Sequence, residues 1–281
     1  MAVVVCARWF DAFPTSYVHV LKNAVAASLE RQHRFICLTD NPDALGPDIE
    51  TAALPDMNIP LAQKRHGCWP KVAMFKPGLL PPEEPTLFLD LDIMVRQDLE
   101  AFFAQIEADR TAFNALREWN PALWEFLPAS VRPDRGVQSS IVGFYPAEQA
   151  YIFETFMADQ KTHFKTYPND QRFLTGVSQR LNYWPIDWTV SFKRHCLRYY
   201  PLNKVFPKIH EPDNAKIVVF HGKPRPIDVV HEGNDRWGTS RKFGHGPVDW
   251  VRNYWIKNDP SWASKTDGIG SQQALRSDLS G

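Results

Sequence analysis

The run Thr86-Leu-Phe-Leu-Asp90-Leu-Asp92-Ile-Met-Val95 is an apolar stretch interrupted by two aspartates two residues apart. Side chains of a β-strand alternate between its faces, so we expect Asp90 and Asp92 to point one way and Leu91 the other. Two carboxylates at the end of a buried strand repel each other unless a cation lies between them. A hard divalent cation shared with a phosphate-bearing ligand would meet that need.

A structural interpretation of the same two aspartates stays open. One could cap the following turn while the other pairs with a nearby cation, of which Arg96 is the closest in sequence. The pattern D-x-D is short and arises by chance. This stretch alone therefore predicts either a metal site or a structural pair.

The segment before this run predicts an α/β fold. A β-branched run over Val3–Ala7 is followed by a helical pattern from about Tyr17 to Arg31 and a second strand over Arg34–Thr39. This order predicts parallel strands joined by a right-handed crossover. In such sheets, ligands bind outside the carboxyl ends of the strands. Three residues fall there besides the aspartates: Ala7, Arg8 and Asp40.

The composition narrows the function classes. With 281 residues, 44% of them hydrophobic, the chain can bury a sizeable core. Lys plus Arg and Asp plus Glu are balanced at 32 each, so we expect no nucleic-acid partner. The four cysteines lack C-x-x-C spacing, and we see neither a basic leader with a cleavage site nor a membrane-spanning apolar run. These features predict a cytoplasmic protein with reduced thiols.

A second apolar strand, Lys216–Phe220, ends at His221-Gly222-Lys223-Pro224. The imidazole can bind a metal, the glycine lets the backbone approach a ligand, and the lysine supplies a cation. A lone histidine at a strand end is more often structural. Together with a D-x-D at another strand end of the same chain, however, it favours a functional site.

With these motifs the sequence resembles the GT-A-fold glycosyltransferases, and most closely the retaining family 8 group that includes glycogenin and lipooligosaccharide galactosyltransferases. The resemblance implies an α/β, Rossmann-like nucleotide-diphospho-sugar transferase fold with a mixed, mainly parallel sheet flanked by helices. It places a GT-A domain at residues 1–235, with a nucleotide-binding half over about 1–95 and an acceptor half over about 96–235. The matching segments, in chain order, are Trp69–Lys71, Phe88–Asp92, Gln138–Gly143, Asn169–Leu174 and Val219–Pro224.

The activity implied by the resemblance is metal-dependent transfer of a sugar from a nucleotide sugar, with a UDP-sugar as first choice, to a glycan, lipid-linked or protein acceptor with retention. Asp90, Asp92 and His221 would hold Mn²⁺ or Mg²⁺, which would also bind both phosphates. Mn²⁺ suits a mixed carboxylate and imidazole shell better. Gly222 and Lys223 would contact the leaving group.

Further roles are implied for residues that each have a structural alternative. Ala7, Arg8 and Asp40 lie where the family binds base and ribose, although Asp40 could simply form an Asx turn before Pro42. Lys71 would reach the sugar or the diphosphate, or else be a solvated lysine. Asp170 and Gln171 resemble the catalytic, sugar-facing pair near the anomeric carbon, and a helix cap is the alternative.

Two other functions stay open. In haloacid-dehalogenase phosphatases the first aspartate of a D-x-D is a nucleophile and the second an acid or base. Those enzymes carry Gly-Thr after the second aspartate, where this chain has Ile93-Met94. The other alternative is a non-catalytic protein that binds nucleotide sugars or glycans, because Gln138-Ser-Ser140 and the short segment after His221 depart from the family pattern.

Residues 236–281 form an aromatic and basic C-terminal extension whose polar end, from Ser264 onward, we expect to be disordered. Aromatic and basic residues mix between Trp237 and Trp262. One hypothesis is a peripheral contact of 237–262 with the inner face of a membrane, near a lipid-linked acceptor. The alternative is packing of the aromatic rings onto the main domain. The sequence predicts no oligomeric state.

Overall fold

A seven-stranded mixed sheet forms the centre of the chain in the computed structural model, which describes residues 1–10, 12–65, 68–121, 124, 127–198, 200–206, 208–231, 235–259 and 261. The strands, in chain order, are β1 (Ala2–Arg8), β2 (His33–Thr39), β3 (Glu50–Ala53), β4 (Thr86–Leu89), β5 (Ile93–Val95), β6 (Phe113–Arg117), β7 (Val137–Phe144), β8 (Leu181–Tyr183), β9 (Thr189–Ser191), β10 (Ile217–Val219), β11 (Arg236–Gly238) and β12 (Phe243–His245).

The strand order of the large sheet is β3-β2-β1-β4-β7-β6-β8. Strands β3, β2, β1 and β4 are parallel, β7 runs antiparallel to both of its neighbours, and β8 is parallel to β6. A second sheet has the order β5-β10-β9, and β11 pairs with β12 as a hairpin. The predicted mixed, mainly parallel sheet is therefore confirmed.

Helices cover the sheet. They are α1 (Ser16–Ser28), α2 (Leu61–Arg65), α3 (Glu100–Ala108), α4 (Pro146–Ala158), α5 (Gln160–Thr166), α6 (Asp170–Val177), α7 (Leu202–Val205) and α8 (Asp249–Asn258). A 3₁₀ segment spans Trp69–Phe75. Lys76-Pro-Gly78 ends this segment after seven residues, and 3₁₀ geometry is common in such short pieces.

The residues of β1 show why both faces of the sheet are covered. Val4 and Cys6 are fully buried in one apolar cluster, while Val3 and Val5 are fully buried in the other. A strand with helices on both sides is apolar at every position rather than at alternate ones. The continuous run Val3–Ala7 is therefore the expected pattern for an interior parallel strand.

The D-x-D stretch is not one strand, and this prediction was wrong. Strand β4 ends at Leu89, and β5 begins at Ile93 in the other sheet. The Asp90 amide donates to the Ser140 carbonyl of β7 (2.9 Å), whereas the Asp92 carbonyl accepts from the Phe220 amide (3.0 Å) that follows β10. The chain thus passes from one sheet to the other through the motif. Strand alternation does not govern these two side chains.

The C-terminal extension packs onto the main domain. Trp237 and Trp255 are buried, and the Trp255 ring meets that of Tyr17 edge-on with 4.7 Å between centroids. The Tyr254 hydroxyl accepts from the Val95 amide (3.2 Å). The packing alternative is thus supported, and these rings do not form the membrane contact predicted for 237–262. Residue 262 and the predicted disordered tail lie outside the described residues.

Two expectations from composition can be compared with the fold. All four cysteines lie in the described part of the chain and are free thiols, with Cys6, Cys37 and Cys196 buried and Cys68 exposed. Within the described residues, every helix is too short or too polar to cross a lipid bilayer.

Candidate active site

The predicted site residues of β1, β2 and β4 lie along one edge of the large sheet. Arg8 is level with Thr39 in the register of β1 and β2, and β4 is the other neighbour of β1. The carboxyl ends of these parallel strands therefore bring Ala7, Arg8, Asp40 and Asp90 to the same edge, as predicted. Arg8 is buried, and its Nε donates to the Phe13 carbonyl (2.8 Å).

A small cavity lies beside Asp40, at one end of this edge. Asp40 is exposed, and its Oδ2 accepts from the Phe10 amide (3.1 Å). The cavity has a volume of about 160 Å³ and is lined by aromatic, aliphatic and charged side chains, including Trp9, Phe10, Asp40, Asp56 and Lys64. An aromatic wall beside a carboxylate suits a planar ring with polar edges.

Lys71 is not the solvated lysine of the alternative interpretation. It is 5% exposed, and its Nζ lies 2.6 Å from an Asp90 carboxylate oxygen. Burial disfavours the charged form of Lys71, but the negative charge of Asp90 outweighs this effect and raises the lysine pKa. Arg96 pairs with Glu211 instead (2.7 Å), so the structural partner expected for the aspartates was the wrong one.

Asp170 joins the same network through Ser139. The Ser139 hydroxyl donates to Asp170 Oδ2 (2.7 Å), and Lys71 Nζ lies 3.5 Å from that hydroxyl. Burial of Asp170 raises the pKa of its carboxyl to about 6 even though the charge of Lys71 opposes the shift. Burial thus makes this carboxyl easier to protonate than an exposed aspartate.

The helix-cap alternative for Asp170 was wrong. Asn169 is the N-cap of α6, and its side chain accepts from the Arg172 amide (3.0 Å). Asp170 lies in the first helical turn and points at Ser139. Gln171 follows it with a half-buried side chain, and its carbonyl accepts from the Thr175 hydroxyl (2.7 Å).

Asp92 meets the second predicted motif. Its Oδ2 accepts from the Gly222 amide (3.1 Å), so the D-x-D turn and the His-Gly-Lys turn are directly bonded although 130 residues separate them. Burial, reinforced by the charge of Asp90, raises the pKa of Asp92 to about 6, and the Gly222 bond opposes the shift. Gly222 has φ +87°, a left-handed conformation in which glycine is not strained.

His221 is placed beside this junction by a different set of contacts. Its Nε2 lies 2.6 Å from the Ser191 hydroxyl, and its ring stacks on Trp119 with 5.3 Å between centroids. Burial and the charge of Lys193 lower the imidazole pKa to about 3, so His221 is neutral at neutral pH. Lys193 Nζ also donates to the His221 carbonyl (2.5 Å). Lys223, two residues further on, is exposed.

The donor set suits a divalent cation only in part. Asp90 and Asp92 supply two carboxylates whose mutual repulsion a cation would relieve. A neutral imidazole is also a good ligand, but the Nε2 of His221 is engaged by Ser191. Among the described residues, no three His, Cys, Asp or Glu side chains are gathered closely enough to share one ion. The two carboxylates fit, and His221 fits only if its ring releases Ser191.

Several residues at this site were not predicted from the sequence. Ser139 links Lys71 to Asp170, Ser191 holds His221, and Lys193 and Arg194 surround the imidazole with positive charge. The basic run Lys193-Arg194-His195, directly after a short apolar strand, was the available signal for the last two. Ser139 lay inside a recognised motif, but its neighbours could not be inferred.

A larger cleft of about 610 Å³ is lined by side chains that include Glu118, Trp119, Asn120, Arg132 and Ile186. Ile186 is 77% exposed, and Trp119 is the ring that stacks on His221. Burial raises the pKa of Glu118, while the nearby Arg135 opposes that shift. Aromatic and aliphatic surface mixed with carboxylate, amide and guanidinium groups is the chemistry that binds sugar rings.

Comparison with known proteins supports the fold. No protein-family model and no curated protein sequence matches the chain. Among solved structures, galactosyltransferase LgtC in complex with donor and acceptor sugar analogs matches with TM-score 0.52 and 15% identity over 80% of this chain and 88% of its own. Glycosyltransferase GlyE of Streptococcus pneumoniae TIGR4 matches with TM-score 0.56 and 13% identity, over 95% of this chain and 65% of its own.

Mouse xyloside xylosyltransferase 1 also matches, with TM-score 0.50 and 11% identity over 78% of this chain and 97% of its own. At such identities the likeness is one of fold. The chain therefore has the GT-A glycosyltransferase fold that its motifs predicted.

Proposed function

We propose that this chain is a glycosyltransferase that moves a sugar from a nucleotide-sugar donor, with a UDP-sugar as first choice, to a hydroxyl of a glycan, a lipid-linked saccharide or a protein. The bond from the Gly222 amide to Asp92 carries the proposal, because it joins two predicted motifs at the ligand-binding edge of a GT-A sheet. We place the reaction in the cytoplasm, where free thiols such as these persist.

The donor would lie along the carboxyl edge of the sheet. The base would enter the cavity beside Asp40, whose carboxylate can accept from a ring N–H or a ribose hydroxyl. Ala7 and Arg8 would border the ribose. The diphosphate would then reach the Asp92–Gly222 junction, where Lys193 and the exposed Lys223 offer positive charge.

Asp90 and Asp92 would hold Mn²⁺ or Mg²⁺, with His221 as third ligand once its ring turns away from Ser191. Such an ion supplies electrostatic stabilisation of the charge on the departing nucleoside diphosphate. Lys71 keeps Asp90 in place and prevents the two carboxylates from spreading apart. The neutral state of His221 is the state that can donate a lone pair.

The transferred sugar would lie near Asp170 and Gln171, in the catalytic role that the family resemblance gives them. Ser139 donates to one carboxylate oxygen of Asp170 and so fixes the orientation of the group. The acceptor would occupy the cleft beside Trp119. Retention of anomeric configuration is the expected outcome, and NMR of the product linkage would test it.

A donor screen that measures nucleoside diphosphate release with Mn²⁺ tests the proposal. We expect release with one nucleotide sugar, loss of it in EDTA, and loss of roughly 100-fold or more in Asp92→Asn, because the cation that neutralises the leaving group would be held less tightly. Asp187→Asn removes an exposed aspartate and should leave the rate unchanged. Full activity of Asp92→Asn would argue against the assignment, while full activity in EDTA would overturn only its metal dependence.

The same screen separates the two other candidate functions. Saturable binding of nucleotide sugars without hydrolysis or transfer across an acceptor panel would identify a binding protein. Phosphate release from aryl phosphates that nucleotide sugars do not inhibit would identify a phosphatase with Asp90 as nucleophile.

A further inference from the structure

A second concave surface, which we call the basic groove, lies between the hairpin β11–β12 and the segment 200–204. Its volume is about 680 Å³. The groove is lined by the side chains of Tyr200, Asn203, Lys204, Arg236, Ser240, Arg241, Phe243 and His245. Three of these are permanent cations, and none of the lining residues that the structure describes is acidic. Such a surface attracts anions.

Two aromatic rings hold two of the cations in place. The Arg236 guanidinium lies over the Phe243 ring at 4.4 Å from its centroid, and Lys204 Nζ lies over the Tyr200 ring at 5.0 Å. Cation–π contacts of this kind restrict a long side chain without neutralising its charge. The cations of the groove are therefore positioned and remain available to an anionic ligand.

Asn203 also lines the groove, and its buried side chain places a second requirement on the ligand. It is 6% exposed, its Nδ2 lies 3.4 Å from the Arg241 carbonyl, and its Oδ1 has no hydrogen-bond donor within the described residues. A buried acceptor without a donor is costly and is usually satisfied by water or a ligand. A carboxylate or phosphate oxygen cannot satisfy it, but a hydroxyl can.

The groove is close to the candidate active site. Lys242 follows Arg241, and its charge contributes to lowering the pKa of Lys193, although burial is the larger cause. Lys193 in turn donates to the His221 carbonyl. The groove residue Arg241 is thus one residue away from a lysine whose charge acts on both Lys193 and His221.

We propose that the basic groove binds an anionic saccharide, a sugar unit that carries a phosphate or a carboxylate together with free hydroxyls. The cations take the acid group and Asn203 takes a hydroxyl. Resting on the proposed transfer activity, this unit belongs to the acceptor, which makes the natural acceptor an acidic glycan. Sulfate, which carries no proton at neutral pH, and neutral sugars each meet only one of the two requirements.

Calorimetric titration tests the groove without any donor present. The probes are glucose 6-phosphate and glucuronate, with glucose and sulfate as half-ligands, all at one ionic strength. We expect an acidic sugar to bind roughly tenfold or more tightly than either half-ligand, because charge and hydroxyl contacts add. The two acidic probes show which acid group the groove prefers.

The variants localise the binding. Lys204→Gln/Arg241→Gln changes two exposed cations and should weaken the acidic sugar by roughly tenfold. The matched control, Lys76→Gln/Lys161→Gln, removes two exposed cations elsewhere and should change it by less than about twofold. Asn203→Leu should weaken binding of the acidic sugar but leave binding of sulfate unchanged, with circular dichroism to confirm folding.

Several results would overturn the proposal. Equal affinity for sulfate and glucose 6-phosphate would show a simple anion site, and equal loss in both double variants would show non-specific charge. Binding of phosphatidylglycerol vesicles that depends on Lys204 and Arg241, without binding of soluble acidic sugars, would show a membrane contact. Donor hydrolysis by the Lys204/Arg241 variant should stay at the wild-type rate, so loss of the groove and failure of the proposed function are distinguishable.

Discussion

Replacing Asp170 by asparagine should stabilise the protein at neutral pH while abolishing sugar transfer. Asp170 is 2% exposed, and burial raises its carboxyl pKa from 3.8 to about 6. The native state therefore holds this proton more tightly than the unfolded chain does. The contribution of Asp170 to stability is therefore greatest below pH 3.8, falls as the pH rises towards 6, and stays low above it.

The size of the effect follows from the two pKa values. At 1.36 kcal/mol per tenfold change in proton affinity, a change from 3.8 to about 6 corresponds to about 3 kcal/mol. Asparagine carries no charge at any pH and can still accept from the Ser139 hydroxyl. We therefore expect Asp170→Asn to raise the free energy of unfolding at pH 7 by up to about 3 kcal/mol, with no gain below pH 4.

Urea denaturation of wild type and variant at pH 4, 5, 6, 7 and 8 measures this difference. Asp159→Asn is the matched control, because Asp159 is exposed and a hydrogen bond from Thr162 lowers its pKa, so that change should give no gain at pH 7. A variant less stable than wild type at pH 7, or a gain independent of pH, would refute the reasoning. The first result would mean that Lys71 stabilises the charged form of Asp170 more than burial opposes it, and the second that the gain does not come from ionisation of Asp170.

Three further changes probe the fold around the site. Lys71→Met should cost about 3–5 kcal/mol of unfolding free energy, because it leaves Asp90 partly buried without its cation, and an unchanged urea midpoint would contradict the ion pair. Trp255→Ala should cost about 3–5 kcal/mol in the same assay, and a negligible loss would show that the extension is not part of the core. Gly143→Ala should lower the thermal midpoint and cost about 1–3 kcal/mol, because its Cβ would lie 2.6 Å from the Trp184 ring; a midpoint equal to wild type would show that the ring can move.

The sequence predicted the sheet and the edge that carries the site because these depend on local patterns. Continuous apolar runs marked β1 and β4, and polar residues at their ends marked the carboxyl edge. The direct bond between Asp92 and Gly222 could be anticipated as proximity, since both follow strands. The spacing of apolar residues along strands and helices is sufficient for such inferences.

The remaining features depend on contacts that no local pattern contains. The switch of sheets at Asp90–Asp92 requires knowing that β5 pairs with β10, more than 120 residues away. The burial of Lys71 depends on Asp90 and Ser139 together, and lysine in isolation is usually solvated. The sequence of the aromatic extension left both a membrane surface and packing onto the main domain open, and its position against α1 separated the two.

The passage of the chain from one sheet to the other through the D-x-D turn has a mechanical consequence. The backbone of Asp90 is hydrogen-bonded to β7, and that of Asp92 to the chain after β10. The distance between the two aspartates therefore depends on the relative position of the two sheets. A ligand bound by both aspartates would therefore link the two sheets. Ligand binding at the D-x-D turn should then slow amide hydrogen exchange in β5 and β10 as well as in β4, far beyond the residues that contact the ligand.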